Sequence, residues 1–461
     1  MTQNVPVPIW LLVLILLFAV VTFASHFLFP SVRWFFRGRM ERAVARLNTR
    51  LVRPIEPFRL MRRQDKIVRL IYDPQVIQAV SDHARETGVP QNVVFQEAKS
   101  YAREIVPGFS TLLYFGVAIR LTRWLSKQLY RVRIGRVDRQ LHGIDPTATV
   151  VFVINHRSNM DYVLVTWLVA DRSALSFAVG EWARIWPLSR LLRAMGAYFV
   201  RRGSRNALYR RVLARYVQMA TVEGTTQAMF PEGGLSLDGR VGTARMGLLH
   251  YIASGFEPAG RDVVFVPVGV AYDRVLEDRL LTEADAVGAR RFRGRPLTIL
   301  RFIARTVWRR LRGRFPGFGT AAAGFGAPVS LRDWLAGAQD TSTEALGAEL
   351  MARIRQSVPV LPVPLLAAVL QTGPVSREDL PDRVAAMVAA LRARGVTLRL
   401  PPDDRMVTQG LRPLILRGLI AETAAGYAPV PGAENLLRFY AAAVLQGLED
   451  TKSDDAATRQ T

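Results

Sequence analysis

Ala148-Thr-Val-Val-Phe-Val-Ile154, a run of apolar and β-branched residues, passes straight into Asn155-His-Arg-Ser-Asn-Met-Asp161. The run has the length and composition of a buried strand. Such a strand delivers His156 to its end, with a carboxylate, Asp161, five residues later. That is a candidate general base and the group that orients it. Of the histidines His26, His83, His142, His156 and His250, only His156 stands in a polar cluster directly behind a strand pattern. The spacing by itself also fits a plainer arrangement, a turn in which Ser158 or Asn159 caps the next helix and His156 is simply hydrogen-bonded.

Working outward, short runs of the same kind lie at 197–201, 226–230 and 263–270, separated by helical stretches. From about 136 to 340 this alternation predicts an α/β domain with a mostly parallel central sheet, its sites at the carboxyl ends of the strands. Residues 31–135 read as an N-terminal helical region. Asp73-Pro-Gln-Val opens a capped amphipathic helix that breaks near Gly88-Val-Pro90, and Gln91–Val106 gives a second, ended by Pro107-Gly108. A third, 110–131, is apolar but carries Arg120, Arg123, Trp124, Lys127 and Arg131. It suits the headgroup layer of a membrane, or equally a core position with one basic edge. Residues 341–461 read as a C-terminal, mainly helical region. Helices are expected at 376–395, 405–418 and 433–448, with a hairpin at Gly418–Val430. The polar tail Asp450–Thr461 is expected to lack fixed structure. Two helices followed by a hairpin resemble a winged helix.

At 461 residues and 50% hydrophobic, the chain can bury a sizeable core in more than one domain. It has no cysteine, which excludes disulfides, thiolate catalysis and thiolate-ligated metal. With so few histidines and no cluster at ligand spacing, no metal is expected. The formal net charge is +24, and Lys66, Lys99, Lys127 and Lys452 are the only lysines, so the excess is arginine. It favours an anionic partner: nucleic acid, an anionic membrane or a phosphate-bearing substrate. Residues 1–30 narrow the choice. Pro8–Phe29 carries no formal charge, no basic residue precedes it, and Arg33, Arg37, Arg39, Arg42 and Arg46 crowd behind it. This predicts a transmembrane anchor rather than a cleaved signal, with the N-terminus outside and the rest of the chain cytoplasmic. Arg290–Arg314 holds ten arginines and no acidic residue; Arg301, Arg305, Arg309 and Arg312 fall at helical spacing. A basic amphipathic helix there suits anionic lipid or an acidic carrier protein, or is an ordinary solvated face.

Three further segments follow the His156 motif. Gly196-Ala-Tyr-Phe-Val-Arg-Arg202 is a strand ending in Arg201 and Arg202, a pair that fits bidentate phosphate recognition. Phe230-Pro-Glu-Gly-Gly-Leu-Ser236 is a strand entering a glycine turn, where Gly233 and Gly234 let backbone amides approach an anion. Val264-Phe-Val-Pro-Val-Gly-Val270 is a buried strand with Pro267 at its centre.

In this order the four segments resemble the four motifs of the glycerolipid acyltransferases, and especially of the membrane-bound bacterial glycerol-3-phosphate acyltransferases. The likeness extends to Tyr72-Asp-Pro-Gln-Val, to Gly317–Leu331, to Gly426-Tyr-Ala-Pro-Val and to Leu436-Leu-Arg-Phe-Tyr-Ala, and so covers most of residues 70–445. The resemblance implies direct attack of an acceptor hydroxyl on an acyl thioester, supplied as acyl-CoA or on acyl carrier protein, with no cofactor. It makes His156 the base and Asp161 its partner. Arg157, Arg201 and Arg202 would bind substrate, with Arg202 on the acceptor's phosphate; Glu232, Gly233, Gly234 and Ser236 would shape the acceptor pocket, and Pro267 would wall a channel. The acceptor would be glycerol 3-phosphate, and the enzyme would sit in the bacterial inner membrane as a single-pass protein with its catalytic domain cytoplasmic.

The chain departs from that branch at Leu235 and Leu237, where arginines are usual, and Pro231 before Glu232 is more like the lysophosphatidate acyltransferases. Arg240 and Arg245 are candidates to compensate. A lysophospholipid or another lipid alcohol therefore stays open as acceptor. A membrane-tethered nucleic-acid-binding or regulatory protein is the alternative from another class. Against it, the charge is spread along the chain and Gly418–Val430 contains no basic residue, so no recognition stripe forms and no nucleic acid is expected. A degenerate scaffold would have no need of both His156 and Asp161.

Overall fold

Residues 8–23, 44–49, 51, 53–134, 143–169, 173–180, 188–201, 203–288, 308, 310, 312, 315 and 317–449 are described by the computed structural model. The expected runs are strands. β1 (Arg131–Ile134), β2 (Thr149–Ile154), β3 (Ser176–Val179), β4 (Tyr198–Phe199), β5 (Gln227–Met229), β6 (Val263–Tyr272) and β7 (Thr320–Phe325) lie in the order β1-β7-β6-β2-β5-β3-β4, with β8 (Val329–Ser330) beside β6. Every pairing is parallel except those of β6 with β7 and β8. The sheet is thus mostly parallel and flanked by helices, as expected.

β2 and β6 are buried at every residue. Strands covered on both faces read as continuous apolar runs, which is why they were visible in the sequence. Alternate residues of β2 enter two different cores. Val150, Phe152 and Ile154 join the helices Met160–Val169, Pro362–Leu370 and Glu434–Gln446. Val151 and Val153 join Arg63–Ile71, Gln91–Ile105, Ala207–Val222 and Thr343–Ser357. Pro267 stands in the middle of β6 and pairs in register with Val153. It falls between the residues paired to β8, Val264 and Phe265, and those paired to β7, Val268–Tyr272. The missing N–H therefore interrupts neither antiparallel ladder.

The helices before the sheet follow their sequence signals. Asp73 accepts from the N–H of Gln75 at 3.0 Å and caps Pro74–Thr87, and Gly88 closes that helix at φ 70°. The third expected helix is a π-helix over Leu112–Ala118 continued as α over Ile119–Leu129. It packs on Met160–Val169 and leaves Leu112, Val117, Leu121 and Trp124 exposed.

Behind the sheet, all nine residues of Pro362–Leu370 are buried. Each large apolar side chain there stabilises the fold by about 1.5–3 kcal/mol. Asp273, just past β6, receives the N–H groups of Thr320 at 2.6 Å and Val363 at 3.1 Å, so it fastens that helix to the sheet. Burial pushes its carboxyl above the usual range. The hairpin is present as β9 (Ile420–Thr423) and β10 (Gly426–Pro429), between Asp403–Leu416 and Glu434–Gln446.

Met1–Pro54 with Asp171–Ser173 forms a separate unit. Within it, the helix Ile9–Phe23 has every side chain from Pro8 to Val20 exposed. Among the described residues, no helix is long and apolar enough to cross a membrane. The expected span Pro8–Phe29 is described as helix over 15 residues. That is about 22 Å of rise, against roughly 30 Å of hydrocarbon. Residues 24–29, Arg33–Arg42, most of the basic stretch Arg290–Arg314, Arg202 and the tail Asp450–Thr461 lie outside the described residues.

Candidate active site

β2, β4, β5 and β6 run in one direction, so their carboxyl ends share one edge of the sheet. Asn155 ends β2 by folding its amide onto β6: it donates to the carbonyl of Val270 at 3.1 Å and accepts the N–H of Val270 at 2.7 Å. The next residue, His156, is 1% exposed. Its N–H donates to Glu232 Oε1 at 2.9 Å, and its carbonyl accepts the N–H of Ser236 at 2.9 Å. Its ring stacks on Phe230, centroids 4.2 Å apart, with Tyr162 edge-on. The main chain of the candidate base is therefore held by the loop that follows β5.

Asp161, fully buried, heads the helix Met160–Val169. Its Oδ2 lies 2.9 Å from His156 Nδ1 and accepts the N–H groups of Arg157 at 2.7 Å and Ser158 at 3.0 Å. Its Oδ1 accepts the Tyr272 hydroxyl at 2.7 Å. A carboxylate only accepts, so this contact assigns a proton to Nδ1, and in the neutral imidazole Nε2 carries the lone pair. Ser158 does cap the helix, accepting from Met160 at 3.1 Å, so the turn and the His–Asp pair coexist. Glu277 completes the loop, accepting from the Ser158 hydroxyl at 2.8 Å and from Asn159 through its N–H at 3.2 Å and its amide at 3.0 Å.

Burial pushes the Glu232 carboxyl up to about 7, against the N–H groups of His156 and Gly242 that draw it down. Burial likewise raises the Tyr272 hydroxyl well above its ordinary value, with Asp161 adding to it, so Tyr272 stays a donor. Burial also raises Glu277.

The remaining expected residues are placed as follows. Arg157 is 4% exposed; it donates to the Gly239 carbonyl and lies 4.8 Å over the Phe439 ring. Its guanidinium thus joins the loop after β2 to the loop after β5 and the last helix. Ser236 is buried, donates to the carbonyl of Arg240 at 2.7 Å and accepts from Gly239 at 3.0 Å, so it shapes its own loop. Gly233 has φ 66°, and a Cβ there would lie 2.6 Å from Arg245 Cδ. Gly234 follows in the same bend. Arg201 is turned onto Glu104, with Nε and Nη2 donating at 2.9 and 2.6 Å. Arg240 is likewise paired, with Glu449. Phe230 and Tyr162, whose rings pack on His156, also wall a cleft of about 280 Å³ with Gly233, Arg201, Arg210 and Arg245 among others; His156 itself is not among its lining residues.

Residues 131–271 match the family model described as acyltransferase, and residues 305–442 the one described as glycerol-3-phosphate acyltransferase C-terminal region. Among curated relatives, the glycerol-3-phosphate acyltransferase of Pseudomonas entomophila is 28% identical over 71% of this chain and 41% of its own length. That of Actinobacillus succinogenes is 30% identical over 60% of this chain and 33% of its own. The chain carries an acyltransferase domain and is related to the bacterial glycerol-3-phosphate acyltransferases. It spans about 41% of the length of the first of these relatives. A solved 1-acyl-sn-glycerophosphate acyltransferase from Thermotoga maritima aligns over 52% of this chain and 76% of that one, at 18% identity and TM-score 0.33.

At the two positions where the glycerol-3-phosphate branch usually has arginine, Leu235 and Leu237 are partly buried and packed against the core. Tyr272, Glu277 and Phe230 were not singled out from the sequence, although all three touch the His156–Asp161 loop. Tyr272 lies two residues beyond the run at 263–270, and its position at a strand end is the one signal that marks it.

Proposed function

We propose that this acyltransferase moves a fatty acyl group from an acyl thioester, acyl-CoA or acyl carrier protein, to a hydroxyl of glycerol 3-phosphate, giving lysophosphatidate. The observation that carries the reading is the buried His156–Asp161 pair, Nδ1 2.9 Å from Oδ2, set in an acyltransferase domain. In this reading Nε2 takes the hydroxyl proton, the oxygen attacks the thioester carbonyl, the C–S bond breaks, and the imidazolium returns the proton to the departing thiolate. Asp161 orients the ring and stabilises its charged form. Glu232 and Ser236 fix the main chain of His156 from either side, and the cleft beside Phe230 receives the acceptor. The apolar segment at residues 8–29 would anchor the enzyme in the inner membrane with its catalytic domain cytoplasmic. The exposed stripe Leu112, Val117, Leu121 and Trp124, with Arg120 beside it, would rest on anionic lipid.

A second acceptor, lysophosphatidate or another lipid alcohol, is favoured by one observation: Leu235 and Leu237, partly buried and packed against the core, are apolar where the glycerol-3-phosphate branch usually carries arginine. Purified protein in detergent, given one acyl-CoA with glycerol 3-phosphate or with lysophosphatidate, separates the two. Turnover with the first alone supports the primary reading; turnover with the second alone replaces it.

A further inference from the structure

Phosphate recognition in this cleft cannot use the positions of Leu235 and Leu237, and Arg201 and Arg240 already hold carboxylates. Among the described residues, two other cations line the same cleft: Arg210, on the helix Ala207–Val222, and Arg245, immediately before Met246–Ser254. Both are exposed, and neither forms an ion pair with a carboxylate among the described residues. The stem of Arg245 lies directly over Gly233, where a Cβ would come within 2.6 Å of Arg245 Cδ; the φ of 66° at Gly233 favours glycine independently. Its backbone N–H is tied to the carbonyl of Pro231 at 2.8 Å. Pro231 and Gly233 flank Glu232, which holds His156. Arg245 is therefore fixed to the loop that supports the base, while its guanidinium stays available to the cleft. No side chain caps the helix it heads, so the positive end of that helix adds to the local field.

We propose that Arg245, assisted by Arg210, grips the phosphate monoester of the acyl acceptor. This rests on the reading that the acceptor is phosphorylated, and it assigns the phosphate to residues other than Arg201, which holds Glu104; Arg202 lies outside the described residues. A planar guanidinium offers two parallel donors to phosphate oxygens, a geometry lysine cannot reproduce.

The test is steady-state kinetics of the full chain in detergent with acyl-CoA and glycerol 3-phosphate, for wild type, Arg245→Ala, Arg245→Lys, Arg210→Ala and Gly233→Ala. Thermal melts are run alongside. Arg245→Ala should raise the acceptor KM about 10- to 100-fold while the donor KM and Tm hold. Arg245→Lys should recover part, Arg210→Ala should show a smaller rise, and Gly233→Ala should shift the acceptor KM in the same direction by displacing Arg245. Titrating glycerol 3-phosphate into His156→Ala with and without Arg245→Ala reads the same loss without turnover. An unchanged acceptor KM in Arg245→Ala, or an equal rise for the donor, overturns the proposal and leaves the acyl-acceptor reading standing. Wild type that acylates phosphate-free alcohols but no phosphorylated acceptor overturns both, and does so before any variant is made.

Discussion

The loop after β2 and the segment after β4 occupy the same edge of the sheet, yet they are built in opposite ways. In the first, His156 and Asp161 are at most 1% exposed, and the carboxylate is satisfied by the imidazole, two main-chain amides and a tyrosine. In the second, Arg201 keeps 36% of its side chain in solvent and leans on Glu104, and Arg210 and Arg245 across the cleft are exposed. Proton transfer needs fixed geometry and a dry environment, and in the proposed mechanism the residues assigned to it are over-determined before substrate arrives. Recognition of the proposed phosphorylated acceptor needs access, and the cations assigned to it sit at the surface, where single changes cost little stability. An acceptor preference can then change without disturbing the base.

The largest effect expected from this contrast is at the buried loop. His156→Ala should lower turnover by on the order of 10²–10⁴ while the protein still folds and binds acceptor. Asp161→Asn should fall in the same range, with the acceptor KM little changed, because it alters the base and not a substrate contact. Near-wild-type rates in either variant would mean that the loop is a helix cap and not a catalytic centre.

Glu232 comes next, because it is a carboxylate inside the rigid half. Its folded pKa, raised by burial to about 7, lies above its ordinary value of 4.5. Folding therefore favours the protonated form. That contribution is fully present below about pH 4.5 and is lost as the pH rises through about 7. Glu232→Gln cannot ionise, so stability relative to wild type should move in the mutant's favour by up to roughly 3 kcal/mol between pH 4.5 and pH 8. Urea unfolding at both pH values reads the shift. A difference that stays constant with pH would show that Glu232 is ionised in the fold throughout.

Tyr272→Phe should have a smaller effect. It removes one donor from Asp161 Oδ1 and leaves a buried acceptor short, at a cost of about 1–3 kcal/mol in stability. Turnover should drop roughly tenfold as the carboxylate loses one of its fixed contacts. Loss of stability with full turnover would confine Tyr272 to a packing role.

How far the sequence disclosed this arrangement follows from range. The run at 148–154 became β2 and that at 263–270 became most of β6, because burial on both faces writes itself into composition. β3 escaped notice: Ser176–Val179 has four residues, and it is a strand because β5 and β4 flank it. Pro362–Leu370 is apolar all round and so offers no helical period to read. The His156–Asp161 contact is local and was legible from spacing. Tyr272 reaches Asp161 from more than a hundred residues downstream, and Glu277 reaches Ser158 from as far; only tertiary pairing brings them in. Glu104 is likewise remote from Arg201, which is why the doublet at the end of β4 read as free for phosphate.

The smallest expected effect is at that doublet, and it tests the open half most directly. Arg201 is stacked 5.1 Å over Tyr101 and 5.2 Å over Tyr209 while it holds Glu104. A partly exposed pair of this kind contributes about 0.2–1 kcal/mol, and the stacking about as much again. Arg201→Ala should therefore lower Tm by a few degrees and change the KM for donor and acceptor alike, by less than about threefold. Glu104→Gln should reproduce the ion-pair share of that loss, about half of it, because it frees the same guanidinium and leaves the stacking. If instead Arg201 leaves Glu104 to bind the acceptor's phosphate, the two variants must diverge. Arg201→Ala would then raise the acceptor KM tenfold or more. Glu104→Gln would lower it, since a competing carboxylate has been removed. Divergence of that kind would make the segment after β4 a recognition element and would move the phosphate from Arg245 to Arg201. Parallel behaviour keeps Arg201 as a peg between the sheet edge and the helix Gln91–Ile105.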